Sequence, residues 1–310
     1  MATLPQATAA RDYARALSLV FGQPLAVAPN RAVAMVRALE GRLGVGSATL
    51  SAYRASPRRR LRAYATRDDD DEPRPPYVVT PAGIALVGIH GTLVHKAMTA
   101  APPSGFMAYD EARTAVRAAA MDPQVRALLL DIDSPGGQVG SSLPALAADV
   151  RRAAQVKPVW AVADDLMCSA AYWIGSAAQR IYVPREGRAG SIGIIAMHLD
   201  QSAFNEKQGF RFTTIYAGAR KNDLSPHKPL SQREVDDLQA RVDRIYETFL
   251  AAVGQHRPAL GAAGARATEA AVFSGADAVR VRLADAVGDF DTALSELTAA
   301  LSYSQGRRVA

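Results

Sequence analysis

The 310-residue sequence predicts an α/β fold: a mainly parallel sheet with crossover helices, preceded by a small helical segment. Three observations lead there. From about residue 77, short apolar runs alternate with helical patterns, which is how parallel strands and their crossovers read. Just before, charge and proline dominate and no core residue stands out. The first 62 residues carry helical spacing instead. The expected organisation is a helical segment 1–62, a charged proline-rich linker 63–76 and one large domain 77–310.

In the first segment, "ARDYARALSLVFG" sets Tyr13, Leu17 and Val20 on one face, with Gly22 as a stop. "PNRAVAMVRALEGRLG" repeats the pattern. The block "SPRRRLRAYATRDDDDEPRPPY" has four arginines within 58–62, five acids at 68–72, and Pro73, Pro75 and Pro76. It has too little apolar surface to order itself and reads as a solvated linker.

The strands come next. "GIALVGIHG" (83–91) is a short apolar run bounded by glycine, and "VRALLLDID" (125–133), "PVWAVAD" (158–164) and "RIYVP" (180–184) follow it. Helical patterns lie between them at 109–122, 142–155 and 169–178. "SIGIIAMHLD" (191–200) and "FRFTTIYAG" (210–218) read as two further strands around a helix. The stretch 231–257 is a long helix, with Ser231 and Glu234 spaced as a capping box. Its stripe of Val235, Leu238, Val242, Ile245 and Phe249 is expected to face the core.

Composition narrows the function classes. Hydrophobic residues make up 49% and charged residues 21%, enough apolar material for a sizeable core. The net charge of +6 comes from scattered bases with no nucleic-acid stripe. One cysteine excludes an internal disulfide and fits a reducing compartment. No His/Cys cluster has metal-ligand spacing, so neither a metal nor a cofactor is expected. The first residues mix acids and bases without a signal-peptide core. No apolar run reaches the roughly 18 residues of a membrane span. The expected location is cytoplasmic.

Chemistry concentrates in two places. In "LLLDIDSPGGQVGSS" (128–142) a buried strand ends in a Pro-Gly-Gly turn. Glycines there let the backbone turn tightly and offer N–H groups to a ligand. An oxyanion hole and an ordinary glycine turn both satisfy that motif. Ser169 follows 32 residues after Gly137, between a strand pattern and a helix pattern. The positive end of the helix dipole would favour negative charge developing on its hydroxyl. Ala170 N–H, at the helix start, has no partner within the helix. Ser169 could therefore attack while Ala170 and Gly137 hold an oxyanion, or it could serve as a plain N-cap. The elbow G-x-S-x-G is absent. The five histidines, His90, His95, His198, His227 and His256, have no context that marks a base. Lysines are few in this arginine-rich chain, and Lys221 sits in a Gly-, Asn- and Pro-rich loop. Ser-Lys pairs are a known variant of serine catalysis.

Taken in order and spacing, "DIDSPGGQV", "CSAAYWIGSAA", "GRAGSIGII" and "AGARKNDLSP" resemble the serine peptidase family of signal peptide peptidase A, in its phage head-maturation branch. The resemblance covers roughly 77–290, and its phage character extends into the N-terminal helices. It implies a crotonase/Clp-protease-like fold. It implies Ser169 as nucleophile and Lys221, 52 residues on, as general base. It implies Ser191 as the residue that orients the lysine, and an oxyanion hole from Gly136, Gly137 and Ala170. Cys168 becomes a packing neighbour. Ala170-Ala171 stand where the family often has Gly-Gly, which backbone donors tolerate.

The implied activity is that of a Ser-Lys endopeptidase cutting phage capsid, portal or scaffold proteins. It would work as a homo-oligomer, cytoplasmic or incorporated into a procapsid, with no nucleic acid and no membrane span. Two alternatives stand beside it: a host enzyme of the same family that degrades peptides, and a non-catalytic scaffold or adaptor that keeps the fold. A crotonase-type acyl-CoA enzyme would not need the lysine. Two details follow from the base. A neutral lysine needs a low-dielectric wall, for which Tyr172, Trp173 and the "SIGII" run are the candidates. Asp223 should point away from Lys221, because an ion pair would hold the ammonium form.

Overall fold

The computed structural model describes residues 21, 23–27, 75–96 and 105–309. The expected helices in 10–22 and 29–44, and most of the linker 63–76, lie outside the described residues.

The larger sheet is built on parallel pairs. β3 (Ile84–His90) lies beside β6 (Ala127–Ser134), and β6 beside β8 (Val159–Cys168). The first half of β8 pairs with β9 (Arg180–Val183) and its last residues with β10 (Arg188–Gly190), both parallel. Antiparallel strands are added by β2 (Val78–Val79) and β12 (Val272–Ser274). Helices α1 (Tyr109–Met121) and α2 (Ser142–Val156) make the crossovers. This is the mainly parallel α/β sheet expected from the alternating runs.

Its strands are apolar on both faces because both faces are covered. Ala85, Val87, Ile89, Leu128, Leu130 and Ile132 join the core beneath α1 and α2. Their alternates Ile84, Leu86, Ala127 and Leu129 pack under Phe290, Ala293 and Leu297 of α8 (Phe290–Val309).

A second sheet crosses the carboxyl ends of these strands. Its order is β11 (Ile195–Ala196), β1 (Pro24–Val27), β7 (Gly136–Gln138), β4 (Thr92–Val94) and β5 (Phe106–Ala108). β1 runs antiparallel to both of its neighbours. The segment expected to be helical therefore contains a strand at these four residues. Pro24 opens it, and two flanking edges supply hydrogen-bonding partners that no local pattern announces. Leu25, Ala26 and Val27 are 1%, 0% and 3% exposed. Burying a leucine or valine side chain stabilises by about 1.5–3 kcal/mol.

Two expectations fail further along. Residues 210–218 form no strand. Phe210, Phe212, Ile215 and Tyr216 are 62%, 55%, 95% and 51% exposed, and no strand of the described residues pairs with them. A β pattern without a partner ladder does not hold strand geometry. The long helix α5 (Gln232–His256) forms, with the Ser231–Glu234 capping box in place. Its apolar stripe is core only at the far end: Phe249, Leu250 and Val253 are buried, while Val235 is exposed.

Candidate active site

Ser169 is the single residue between β8 and helix α3 (Ala170–Ser176). Its backbone has φ 57 and ψ −119, a conformation that costs an L-residue about 1–3 kcal/mol. A strand, a strained residue and a helix make the geometry of a nucleophile elbow, reached here without the glycines of G-x-S-x-G. The backbone is pinned on both sides. Ser169 N–H donates to the Gly190 carbonyl at 2.8 Å, and Trp173 N–H donates to the Ser169 carbonyl at 3.0 Å. The buried hydroxyl reaches the Gly193 carbonyl at 3.4 Å.

The approach to the elbow is bent. Ile132 pairs with Ala163, but Ser134 pairs with Met167, so β8 carries extra residues at Asp164–Leu166. Asp165 has φ 73 within this bulge. Bulges re-aim a strand. The last residues of β8, now turned, pair with β10 and place Cys168 opposite Gly190. Ser169 and Ser191 are thus the next residues off two adjacent parallel strands. Ser191 is also strained, with φ 53, and donates its N–H to the Ala271 carbonyl at 2.8 Å.

The glycine turn closes on the same point. Gly136 has φ +100, and a Cβ there would overlap the Ala26 carbonyl oxygen. The same Cβ would lie 2.9 Å from Ser169 Cβ and 3.0 Å from Ala170 nitrogen. The Gly136 N–H donates to Ser134 Oγ at 3.2 Å. The structure thus brings together Ser169, Ala170, Gly136 and Gly137, with Ser191 on the neighbouring strand.

Lys221 is not joined to them. It is exposed, the last of an unbroken exposed run from 206 to 221. Its side chain makes no hydrogen bond or ion pair among the described residues. Asp223 accepts from Arg233 at 2.6 and 2.9 Å, so its carboxylate is committed away from Lys221, as expected. The Arg233 hydrogen bonds hold that carboxyl below its ordinary range.

The supposed low-dielectric wall sits elsewhere. Tyr172 is fully buried and its hydroxyl donates to the Leu283 carbonyl at 3.0 Å. Trp173 stacks on Phe249 at 4.7 Å. The helix turns both rings into the core behind the elbow. Cys168 is buried against Leu166, and burial pushes its thiol up to about 12. No histidine is hydrogen-bonded to Ser169 among the described residues. His90 meets Asp131 at 3.0 Å, His198 lies 3.4 Å from the Lys228 carbonyl, and His256 meets Ser176 at 2.9 Å.

Sequence reasoning missed three contributors. Gly190 anchors the Ser169 backbone, and Ser134 occupies the Gly136 N–H. Both lie inside motifs that drew attention for other residues. The third, Pro24–Val27, has no local chemical signal at all.

A family model described as Peptidase family S49 matches residues 151–303. The capsid assembly protease C of Escherichia phage lambda is 35% identical over 301 residues, covering 96% of this chain and 68% of that protein. The chain belongs to peptidase family S49. The head-tail preconnector protein GP5 of Enterobacteria phage P21 is 32% identical over 308 residues, covering 94% of this chain and 58% of that protein. The chain thus spans only part of each relative's length. A solved enoyl-CoA hydratase/isomerase family member superposes with a TM-score of 0.41 and 14% identity, over 73% of this chain and 74% of the other. The S49 match holds Ser169, Ser191 and Lys221. The Gly136–Gly137 turn and β1 precede it. Among the described residues no helix is long and apolar enough to cross a membrane.

Proposed function

We propose that this S49 chain is a serine endopeptidase with a Ser169–Lys221 dyad, acting on phage capsid, portal or scaffold proteins. The observation that carries the chemistry is the strained Ser169 backbone set beside Gly136 and Ala170 N–H. Strain of this kind persists where the surroundings over-determine it, and it turns a hydroxyl out of the strand–helix junction.

The geometry supports the parts given to Ser169 and the backbone donors, and the family resemblance supports those given to Lys221 and Ser191. Ser169 Oγ adds to the substrate carbonyl carbon. Ala170 N–H and Gly137 N–H receive the oxyanion, while Gly136 gives the space, its own N–H being taken by Ser134. Lys221 accepts the Ser169 proton and passes it to the leaving amine. Ser191, one strand over, holds the lysine in register. Donors fixed before the reaction are worth the most where water is excluded.

Lys221 has to be seated for this to work. The exposed arm 206–221 carries Phe210, Phe212, Ile215 and Tyr216 in front of it. An exposed apolar segment of this kind is a surface that calls for cover. The cover is a second copy of the chain, and the working form is a homo-oligomer, cytoplasmic or within the procapsid. The peptidase unit is 77–310 together with β1 of the N-terminal segment 1–62, which is joined through 63–76.

The test is digestion of phage capsid, portal and scaffold proteins, with products read by mass spectrometry. Wild type yields defined fragments and Ser169→Ala none. Equal fragments from both proteins would overturn the assignment.

A further inference from the structure

We propose that the chain's own Leu25-Ala26-Val27 is a peptide substrate held in the site in cis, with Ala26–Val27 as the bond presented to Ser169. This rests on the peptidase reading above and names a substrate for that same site.

Four observations carry it. First, β1 adds to an edge on each side, β7 and β11, both antiparallel. An extended peptide that adds a strand to exposed sheet edges is a general mode of peptide capture. Second, the strand on one side is the glycine turn itself, and Ala26 stands opposite Gly137. Third, the Ala26 carbonyl oxygen is turned onto Gly136, at the point that Ser169 Cβ and Ala170 nitrogen also face. A segment that merely plugged the site would need bulk there. This one sets a backbone carbonyl beside Gly136, where Ser169 Cβ and Ala170 nitrogen also converge. Fourth, Ser169 is 0% exposed, and Leu25, Ala26 and Val27 are buried with it. The subsites thus fit a small residue flanked by branched aliphatic ones.

The chemistry balances. Ser169 Oγ bonds to the Ala26 carbonyl carbon and its proton passes to Lys221. The bond from Ala26 carbon to Val27 nitrogen breaks, and Val27 nitrogen takes that proton. Water then hydrolyses the Ala26 ester, leaving an Ala26 carboxylate and restoring the Ser169 hydroxyl.

The experiment follows the purified full chain by intact-mass spectrometry, as wild type, Ser169→Ala and Ala26→Arg. A synthetic peptide QPLAVAPN, spanning residues 23–30, is given to wild type in trans. Phage capsid proteins are digested in parallel. The expected result is a fragment ending at Ala26 and a chain beginning at Val27 from wild type only. The peptide is cut at its Ala-Val bond, so the result does not depend on how the Ala26→Arg chain folds. Should wild type digest the capsid proteins while its own Ala26–Val27 bond and the peptide stay whole, this inference falls and the peptidase reading stands. Should nothing be cut, both fall. Cleavage at Ala26–Val27 in Ser169→Ala as well would assign the cut to another enzyme and overturn the inference.

Discussion

The Ser169 N–H donates to the Gly190 carbonyl at 2.8 Å, and this bond ties the elbow to the neighbouring strand. It is the step after Cys168 pairs with Gly190 in the parallel ladder. The two strained serines, Ser169 and Ser191, are consequently held side by side by sheet geometry and need no direct contact to stay in register.

Strain at Ser169 should be measurable as stability. Ser169→Gly removes the cost of φ 57 and is expected to raise the unfolding free energy by about 1 kcal/mol while abolishing cleavage. Ser169→Ala abolishes cleavage without that gain, because alanine is strained there too. Urea titrations of the three proteins check both statements.

Gly136→Ala is expected to cost activity and stability together. The added methyl overlaps the Ala26 carbonyl oxygen, crowds Ala170 nitrogen at 3.0 Å, and sits on a backbone with φ +100. A loss of about 2 kcal/mol or more is in keeping with such overpacking plus backbone strain. A melt and a digestion assay on one preparation would show whether the two losses travel together; full activity with unchanged stability would contradict this geometry.

Cys168 should be inert. Its thiol is buried and pushed up to about 12, so an aromatic disulfide reagent at pH 8 is expected to label it only after unfolding. Cys168→Ala should cleave normally at a cost of about 1 kcal/mol in stability. Rapid labelling of the native chain would argue against its packing role.

Lys221→Arg is expected to be as inactive as Lys221→Ala. A guanidinium keeps its proton at any workable pH and cannot take one from Ser169. Cleavage rates for the two variants against wild type settle the point. Full activity in Lys221→Arg would move the base to another residue.

His256 should shape the acid side of the stability curve. Burial, and then the charge of Arg151, push it from an ordinary 6.5 down to about 4. Below pH 6.5 the unfolded chain takes up a proton that the folded chain refuses. Stability therefore falls as the pH drops from about 6.5 to about 4 and levels off below that. The effect is on the order of 3 kcal/mol. His256→Gln should flatten that stretch of the curve in denaturant titrations at pH 4, 5, 6 and 7.

The main sheet was readable in the sequence because each of its strands is a local apolar run and each crossover a local helical period. Ile84–His90 and Ala127–Ser134 needed no knowledge of their partners to be recognised. Of the second sheet only β11 was readable, inside the expected strand 191–200, since the short strands β1, β4 and β7 exist only through ladders to distant segments. Residues 210–218 fail in the opposite sense, with a β pattern and no ladder to join. For the site, position at strand ends and a helix start made Ser169, Ala170 and the glycine turn candidates, with a plain N-cap and an ordinary turn beside them, and the family resemblance chose between the readings. The bulge at Asp164–Leu166 does not, because two adjacent acids say nothing about where a strand kinks. Tyr172 and Trp173 were expected in the cleft because they adjoin Ser169 in sequence. Both rings are instead held in the core, Tyr172 by the Leu283 carbonyl and Trp173 by stacking on Phe249.

The slot that β1 fills is one strand wide, with an antiparallel edge on each side. Any chain that replaces β1 must bring its own N–H and C=O groups unspent, since both edges ask for them. A segment already in a helix or a sheet has none to give. What such a slot selects is therefore the absence of structure, ahead of any side chain. If the proposed capsid substrates hold, the segments open to cutting in a shell of folded subunits would be the tails and hinges not yet engaged. The order of cleavage would then be written by the folding of the substrates, and an assembled neighbour would protect itself simply by having finished.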